Sequence, residues 1–120
     1  MATNDTVNEF QQGRLKHLLF KSKLRAILLD ADIDEAPVLS EHDCPFGQWM
    51  QAYLLKECSG WPELRELEVI HTDMHRIARQ VVKKHRAGVE DVSGEMEKIE
   101  QQEERVMDLL EVLERKLKGF

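Results

Sequence analysis

The segment Ile70-His71-Thr72-Asp73-Met74-His75 places two histidines four residues apart in a stretch with helical apolar spacing. Side chains four apart on an α-helix project from one face, so both imidazoles can reach one ion. This helix is predicted to open at Trp61-Pro62-Glu63, where proline and an acidic residue suit the first turn. Its apolar stripe comprises Leu64, Leu67, His71, Met74, Ala78 and Val81. A histidine pair alone also fits ordinary surface or core residues, so the rest of the chain has to decide between these interpretations.

The length and charge of the chain limit the classes of protein it can be. A chain of 120 residues with formal charge -6 is expected to form one domain, 1–120, with a core of its own. Its acidic character argues against nucleic acid or anionic lipid as a partner. No basic leader or membrane-length apolar run is present, so we expect a cytoplasmic protein without membrane insertion. In that compartment Cys44 and Cys58 are more typical of thiols or metal ligands than of a disulfide.

Apolar spacing predicts three more helices around this one. Residues 1–6 are expected to be disordered, and the first helix to start at Val7 with a stripe of Phe10, Gly13, His17, Phe20, Leu24 and Ile27, widened by Leu18, Leu19 and Leu28. A loop follows Pro37. A short helix begins at Cys44-Pro45 and ends near Cys58-Ser59-Gly60. The last helix carries Met96, Ile99, Val106, Leu110, Leu113, Leu117 and Phe120, interrupted by Glu103.

Four helices with short links and no strand signal predict an all-α fold. The expected architecture is an antiparallel four-helix bundle with one short helix, starting at Cys44, and three long helices. In an up-down arrangement the first and third helices run the same way. His17 lies about ten residues into the first helix, and His71 and His75 lie about ten to fourteen residues into the third. We therefore expect the three imidazoles to meet.

Three histidines aimed at one region, with a cysteine nearby, indicate a metal site. One buried imidazole is usually satisfied by one hydrogen bond, but unpaired buried polar groups cost about 1–3 kcal/mol each, and a divalent ion satisfies several at once. Cys44 caps the short helix, where the helix dipole favours the thiolate, and supplies a fourth ligand. Three imidazoles and one thiolate form a closed tetrahedral set that suits zinc better than calcium, magnesium or manganese.

The segment Cys44-Pro45-Phe46-Gly47-Gln48-Trp49, between His17 and the pair His71 and His75, resembles the chemoreceptor zinc-binding (CZB) domain family. That family's pattern is a histidine followed three residues later by tryptophan, then Cys-x-x-Gly-x-Trp, then His-x-x-x-His. The resemblance covers roughly residues 10–80, with Phe20 in place of the first tryptophan. It implies a helical bundle holding one Zn²⁺ through His17, Cys44, His71 and His75. It also implies a bacterial cytoplasmic homodimer that works with chemotaxis receptors or diguanylate cyclases, which make cyclic-di-GMP.

Three functions stay open at this point. A regulatory domain that senses zinc or oxidants such as hypochlorous acid fits a closed four-ligand site, and Cys44 is the ligand that oxidation or zinc withdrawal would release. The alternative is a non-sensing interaction or dimerisation module with a purely structural zinc, in which the seam of the last helix forms the core or a dimer zipper. A zinc hydrolase with three histidines and a water lacks a visible base, so no catalytic residue is assigned. A carboxylate such as Asp73 is a candidate for orienting a ligand imidazole, and His42 and Cys58 receive no role.

Overall fold

The computed structural model describes the backbone of residues 3–119 and the side chains of residues 5–119. Over that range every regular element is helical, which confirms the predicted all-α class. In chain order the elements are α1 (Thr3–Leu28), α2 (Ala36–Leu39), a 3₁₀ turn (Glu41–Asp43), α3, α4 (Pro62–Arg86) and α5 (Ser93–Leu117). The helix α3 has three continuous parts, Pro45–Trp49 as α-helix, Met50–Leu54 as π-helix and Leu55–Glu57 as α-helix. None of the described helices combines the length and apolar character needed to cross a bilayer.

The first helix begins earlier than its apolar spacing indicates. It starts at Thr3, four residues before the predicted start at Val7, while residues 1 and 2 lie outside the described range. The reason is tertiary: the Thr6 side chain is buried and hydrogen-bonded to Tyr53 on α3. This contact with α3 therefore stabilises the first turns of α1, which the apolar spacing of the local sequence does not predict.

The buried stripe of α1 is narrower than predicted. Phe10, His17, Phe20, Leu24 and Ile27 are buried, but Leu18 and Leu19 are 46% and 47% exposed, so the prediction that they widen the stripe is wrong. Leu28 packs against the edge of the core. The exposure follows from the packing of α1, since its neighbours cover one side of the helix and leave these leucines on the other.

The order of the ion pairs between the long helices shows the direction in which each helix runs. Along α1 and α5 the pairs run in opposite chain order, Arg14 with Glu114 and Lys21 with Glu103. The same holds for α4 and α5, in the pairs Glu63–Lys116, Glu66–Arg105 and Lys84–Glu95. Because α1 and α4 both run opposite to α5, they run in the same direction as each other. This arrangement puts the middle of α1 beside the middle of α4.

The apolar seam of α5 lies inside this single chain. Ile99, Val106, Leu110 and Leu113 are buried against the core, so the seam needs no second copy to cover it. Glu103, which interrupts the seam, faces Lys21 of α1 at 3.7 Å. Phe120, placed in the seam by its spacing, lies outside the described residues. These contacts support the interpretation of the seam as core rather than dimer zipper.

The linker before α3 has more regular structure than the predicted loop. It contains α2, with Pro37 in its first turn, and the 3₁₀ turn. Cys44 then caps α3 in an extended conformation with Pro45 in the first turn, as the sequence predicts. The linker packs along α4, where its backbone approaches the histidine pair.

Candidate metal centre

Three predicted ligands converge in the interior of the protein. Cys44, His71 and His75 each place one ligand atom so that all three atoms lie within 4.8 Å of one another. All three side chains are buried, with exposures of 1%, 5% and 0%. The Nε2 atoms of the two histidines are 3.0 Å apart, and two nitrogens bound to one tetrahedral zinc ion are separated by about 3.3 Å. The pair therefore needs little movement to share an ion.

The orientation of His75 is set by the backbone of the linker. Its Nδ1 lies 2.7 Å from the carbonyl oxygen of Val38. A carbonyl oxygen can only accept, so Nδ1–H is the donor, and in the neutral ring Nε2 then presents its lone pair to the cluster. Histidine ligands of metals commonly have such an outer partner. Asp73, the carboxylate considered for this role, instead binds Arg76 and Gln102, each through a 2.7 Å hydrogen bond.

His17 lies in the same interior without belonging to the three-residue cluster. Its side chain is 1% exposed, and within the described part of the chain neither ring nitrogen has a hydrogen-bond partner. Burial, followed by the proximity of His75, lowers its pKa to about 4. A neutral core imidazole with both nitrogens unpaired is costly, and coordination to a metal would relieve that cost. The fit of His17 to a zinc site rests on this observation.

Burial also sets the protonation of the other ligands. It lowers the pKa of His71 to about 3 and lowers that of His75, so both rings are neutral and able to coordinate at pH 7. For Cys44, burial raises the pKa of the thiol, and this effect outweighs the backbone N–H groups of Gly47 and Phe46 and the charge of Lys23. The end of helix α3 thus favours the thiolate as expected, but in the metal-free chain desolvation outweighs this effect.

Two glycines allow α3 to fit between α1 and α4. A Cβ on Gly47 would lie 2.8 Å from Cε1 of His71 and 2.7 Å from the carbonyl oxygen of Glu41. A Cβ on Gly13 would lie 2.6 Å from the ring of Trp49, whose Nε1 donates a 2.9 Å hydrogen bond to Glu9. The Gly and Trp of the Cys-Pro-Phe-Gly-Gln-Trp segment thus bring the Cys44 end of α3 close to the histidines.

Aromatic rings surround the cluster. Phe46 packs edge-on against His17 and His71, with ring centroids 5.0 Å and 5.6 Å away. Phe20, which stands where the family pattern has tryptophan, packs against His75 at 4.8 Å. The substitution therefore keeps an aromatic ring on a candidate ligand. These rings cover the apolar sides of the three imidazoles and restrict their orientations.

An open cavity of about 620 Å³ connects solvent with one side of the site. Its lining includes His71 and Gly47, together with Glu41, His42 and Gln48 at the linker and the start of α3. Sequence reasoning gave His42 no role, yet it borders this opening. Cys58 is buried at the far end of α3, roughly 20 Å from Cys44 by the rise of the helix. It is too far away to form a disulfide with Cys44 in this fold.

Comparison with known proteins agrees with the geometry. The family model for the chemoreceptor zinc-binding domain matches residues 17–82. This range starts at His17, contains Cys44, His71 and His75, and covers more than half of the chain. No curated protein and no solved structure matches the chain. On the length of the family match, the chain belongs to the chemoreceptor zinc-binding (CZB) domain family.

Proposed function

We propose that this chain is a zinc-binding sensory domain, built as an antiparallel four-helix bundle, with His17, Cys44, His71 and His75 as the zinc ligands. One observation carries the proposal: three buried ligand atoms lie within 4.8 Å of one another, and a third buried histidine, His17, has no partner for either ring nitrogen in the described residues. The mixed nitrogen and sulfur donor set favours zinc over calcium or magnesium.

The proposed role is regulatory. His17, Cys44, His71 and His75 would hold a zinc ion with protein ligands alone, and the ion would supply the positive charge that keeps the Cys44 thiol deprotonated rather than activate a water. In the metal-free chain burial raises the pKa of the Cys44 thiol. Cys44 is thus the ligand whose state depends most on whether the site is filled. We assign no catalytic residue.

The finer proposal is that Cys44 is the sensing residue, responding to zinc withdrawal or to hypochlorous acid. In the oxidative step the thiolate takes the hydroxyl group of hypochlorous acid, giving a sulfenic acid and chloride, and sulfur loses the two electrons that chlorine gains. Cys44 is 1% exposed and does not border the cavity, so the segment carrying it has to open for the reaction. The linker and helix α3, whose middle part is π-helical, make this the part of the chain best suited to local rearrangement.

Opening of that segment would disturb a defined set of rings. The first part of α3 carries Phe46, which packs on two candidate ligands, and Trp49, which stacks on Tyr53 at 5.7 Å. Release of Cys44 is therefore expected to change Trp49 fluorescence while the three long helices keep their helix content. A partner protein of the chemotaxis or cyclic-di-GMP type would detect the rearranged surface.

A purely structural zinc in a dimerisation module is the second candidate. The observation that favours it is the group of exposed leucines on α1, since Leu15, Leu18 and Leu19 are 63%, 46% and 47% exposed. Under both proposed functions, we expect the protein to form a homodimer through this face and to be cytoplasmic. Zinc that exchanges with a chelator within minutes and leaves on oxidation supports sensing, whereas zinc that resists both supports the structural role.

The test of the proposed function is the metal content of protein purified without added zinc. We expect about one zinc per chain in the wild type and weaker or no retention in Cys44→Ala, measured by native mass spectrometry. Cys58→Ala is the matched control, because it removes a buried thiol far from the site and should leave the zinc content unchanged. A wild-type protein that takes up no zinc even when supplied with it would refute the proposal.

A further inference from the structure

Three neighbouring hydrogen bonds connect the linker to α4. Nδ1–H of His75 donates to the Val38 carbonyl at 2.7 Å. Arg79 donates from Nη1 to the carbonyl of the next linker residue, Leu39, at 3.1 Å. The Thr72 hydroxyl donates to the Glu41 carboxylate at 2.7 Å. Residues 72, 75 and 79 are spaced three and four apart and share one face of α4.

Arg79 and Thr72 thus lie about one turn on either side of His75, and each holds the linker close to Val38. The backbone of Glu41 is confined further, because its carbonyl oxygen lies against Gly47 of α3. With both sides attached, the Val38 carbonyl stays aimed at His75. We propose that Arg79 and the Thr72–Glu41 pair are positioning residues for zinc, which hold the Val38 carbonyl on Nδ1 of His75 and so keep Nε2 free for the metal. This inference rests on the proposed function.

The consequence of losing these contacts follows from imidazole chemistry. Without a fixed acceptor at Nδ1, the neutral ring can carry its proton on either nitrogen. A proton on Nε2 blocks the atom that faces His71 at 3.0 Å. Loss of the outer partner of a metal-binding histidine typically weakens metal binding 10–100-fold. The side chains of Arg79, Thr72 and Glu41 should therefore influence zinc affinity although none of the three is a proposed zinc ligand.

Removal of Arg79 distinguishes a positioning role from a purely electrostatic role, because the two roles predict opposite changes in zinc affinity. Its positive charge lies close enough to act on the His75 ring, and a nearby cation disfavours binding of Zn²⁺. If charge were the only role of Arg79, its removal would strengthen zinc binding. If Arg79 positions the linker, its removal weakens zinc binding.

The experiment compares zinc dissociation constants by chelator competition. We expect Arg79→Met and Thr72→Val each to weaken binding several-fold, and the double variant to weaken it about tenfold. Arg79→Lys and Thr72→Ser keep a donor and should recover most of the affinity. Arg76→Met is the matched control, because it removes an arginine of the same helix that pairs with Asp73 rather than with the linker. Circular dichroism establishes that each variant is folded.

A second measurement follows the His75 ring directly. In ¹⁵N spectra of histidine-labelled protein, the wild type should show a slowly exchanging Nδ1–H signal, and the double variant should show faster exchange or a mixture of tautomers. Unchanged or stronger zinc binding in the double variant, with an unchanged Nδ1–H signal, would overturn this inference and leave the proposed function standing. A wild type that binds no zinc would refute the proposed function instead, and the spectra of the metal-free protein would still decide whether these contacts fix the tautomer.

Discussion

Substitution of Gly47 by alanine tests the packing that brings α3 to the histidines. The added Cβ would lie 2.8 Å from Cε1 of His71, where ordinary contact begins near 3.4 Å. The ring must therefore move by roughly 0.6 Å, and the Glu41 carbonyl at 2.7 Å closes the other side. Overpacking of this kind costs about 1–3 kcal/mol, and the better helix propensity of alanine returns up to about 1 kcal/mol. With the full propensity gain, we expect a net loss of up to about 2 kcal/mol in the free energy of unfolding.

The effect on zinc should exceed the effect on stability. Metal–ligand distances are held to within about 0.2 Å, so a shift of a ligand ring by several tenths of an ångström should weaken zinc binding at least tenfold. Urea unfolding with and without zinc measures both quantities. Gly94→Ala is the control, because a Cβ there meets nothing within 4 Å in the first turn of α5. If Gly47→Ala matched the control in stability and in zinc affinity, the argument that Gly47 makes room for His71 would be refuted.

Three further predictions concern the buried histidines and Cys58. His17→Leu removes two unpaired ring nitrogens, so the metal-free protein should gain about 1 kcal/mol or more of stability while zinc no longer stabilises it; a metal-free variant much less stable than the wild type would contradict this. In the metal-free wild type the pKa values of His17 and His71 are lowered to about 4 and about 3. The unfolded chain therefore takes up more protons, and stability should decrease as the pH falls from about 6.5 toward 4; urea unfolding that stays constant between pH 7 and pH 5 would refute it. Burial, followed by the charge of Glu57, raises the pKa of Cys58 to about 11, so iodoacetamide at pH 8 should leave Cys58 unmodified in the folded protein, and rapid labelling in a peptide map would show the burial to be wrong.

Much of the fold could be predicted from local sequence features. Pro45 and Pro62 stand in the first turns of α3 and α4, because proline lacks an N–H that those positions leave unpaired in any case. The predicted stripe of α4 is buried throughout, since apolar side chains three and four apart have to share one face of a helix. The starts of α3 and α4 and the all-α class could therefore be predicted from the sequence.

The candidate ligands were also visible in the sequence, because imidazole and thiolate groups are few and their spacing resembles a family pattern. Cys44, His71 and His75 converge as expected. His17 stays a proposed ligand, supported by its burial and its two unpaired nitrogens. The partner of His75 could not be predicted, because it is the backbone carbonyl of Val38 and every residue type has one.

The tertiary structure decided which apolar residues of α1 are buried and how burial changes the pKa of Cys44. Leu18 and Leu19 fit an apolar pattern, yet they are exposed. The sequence of α1 does not determine from which side the neighbouring helices pack against it. Cys44 caps a helix, as the sequence indicates, but the pKa of its thiol is raised, because the surrounding elements remove water more effectively than the helix end stabilises charge. The sequence determined which groups are available for a metal site. Only the packing of α1, α3 and α4 determined their distance, their orientation and their protonation.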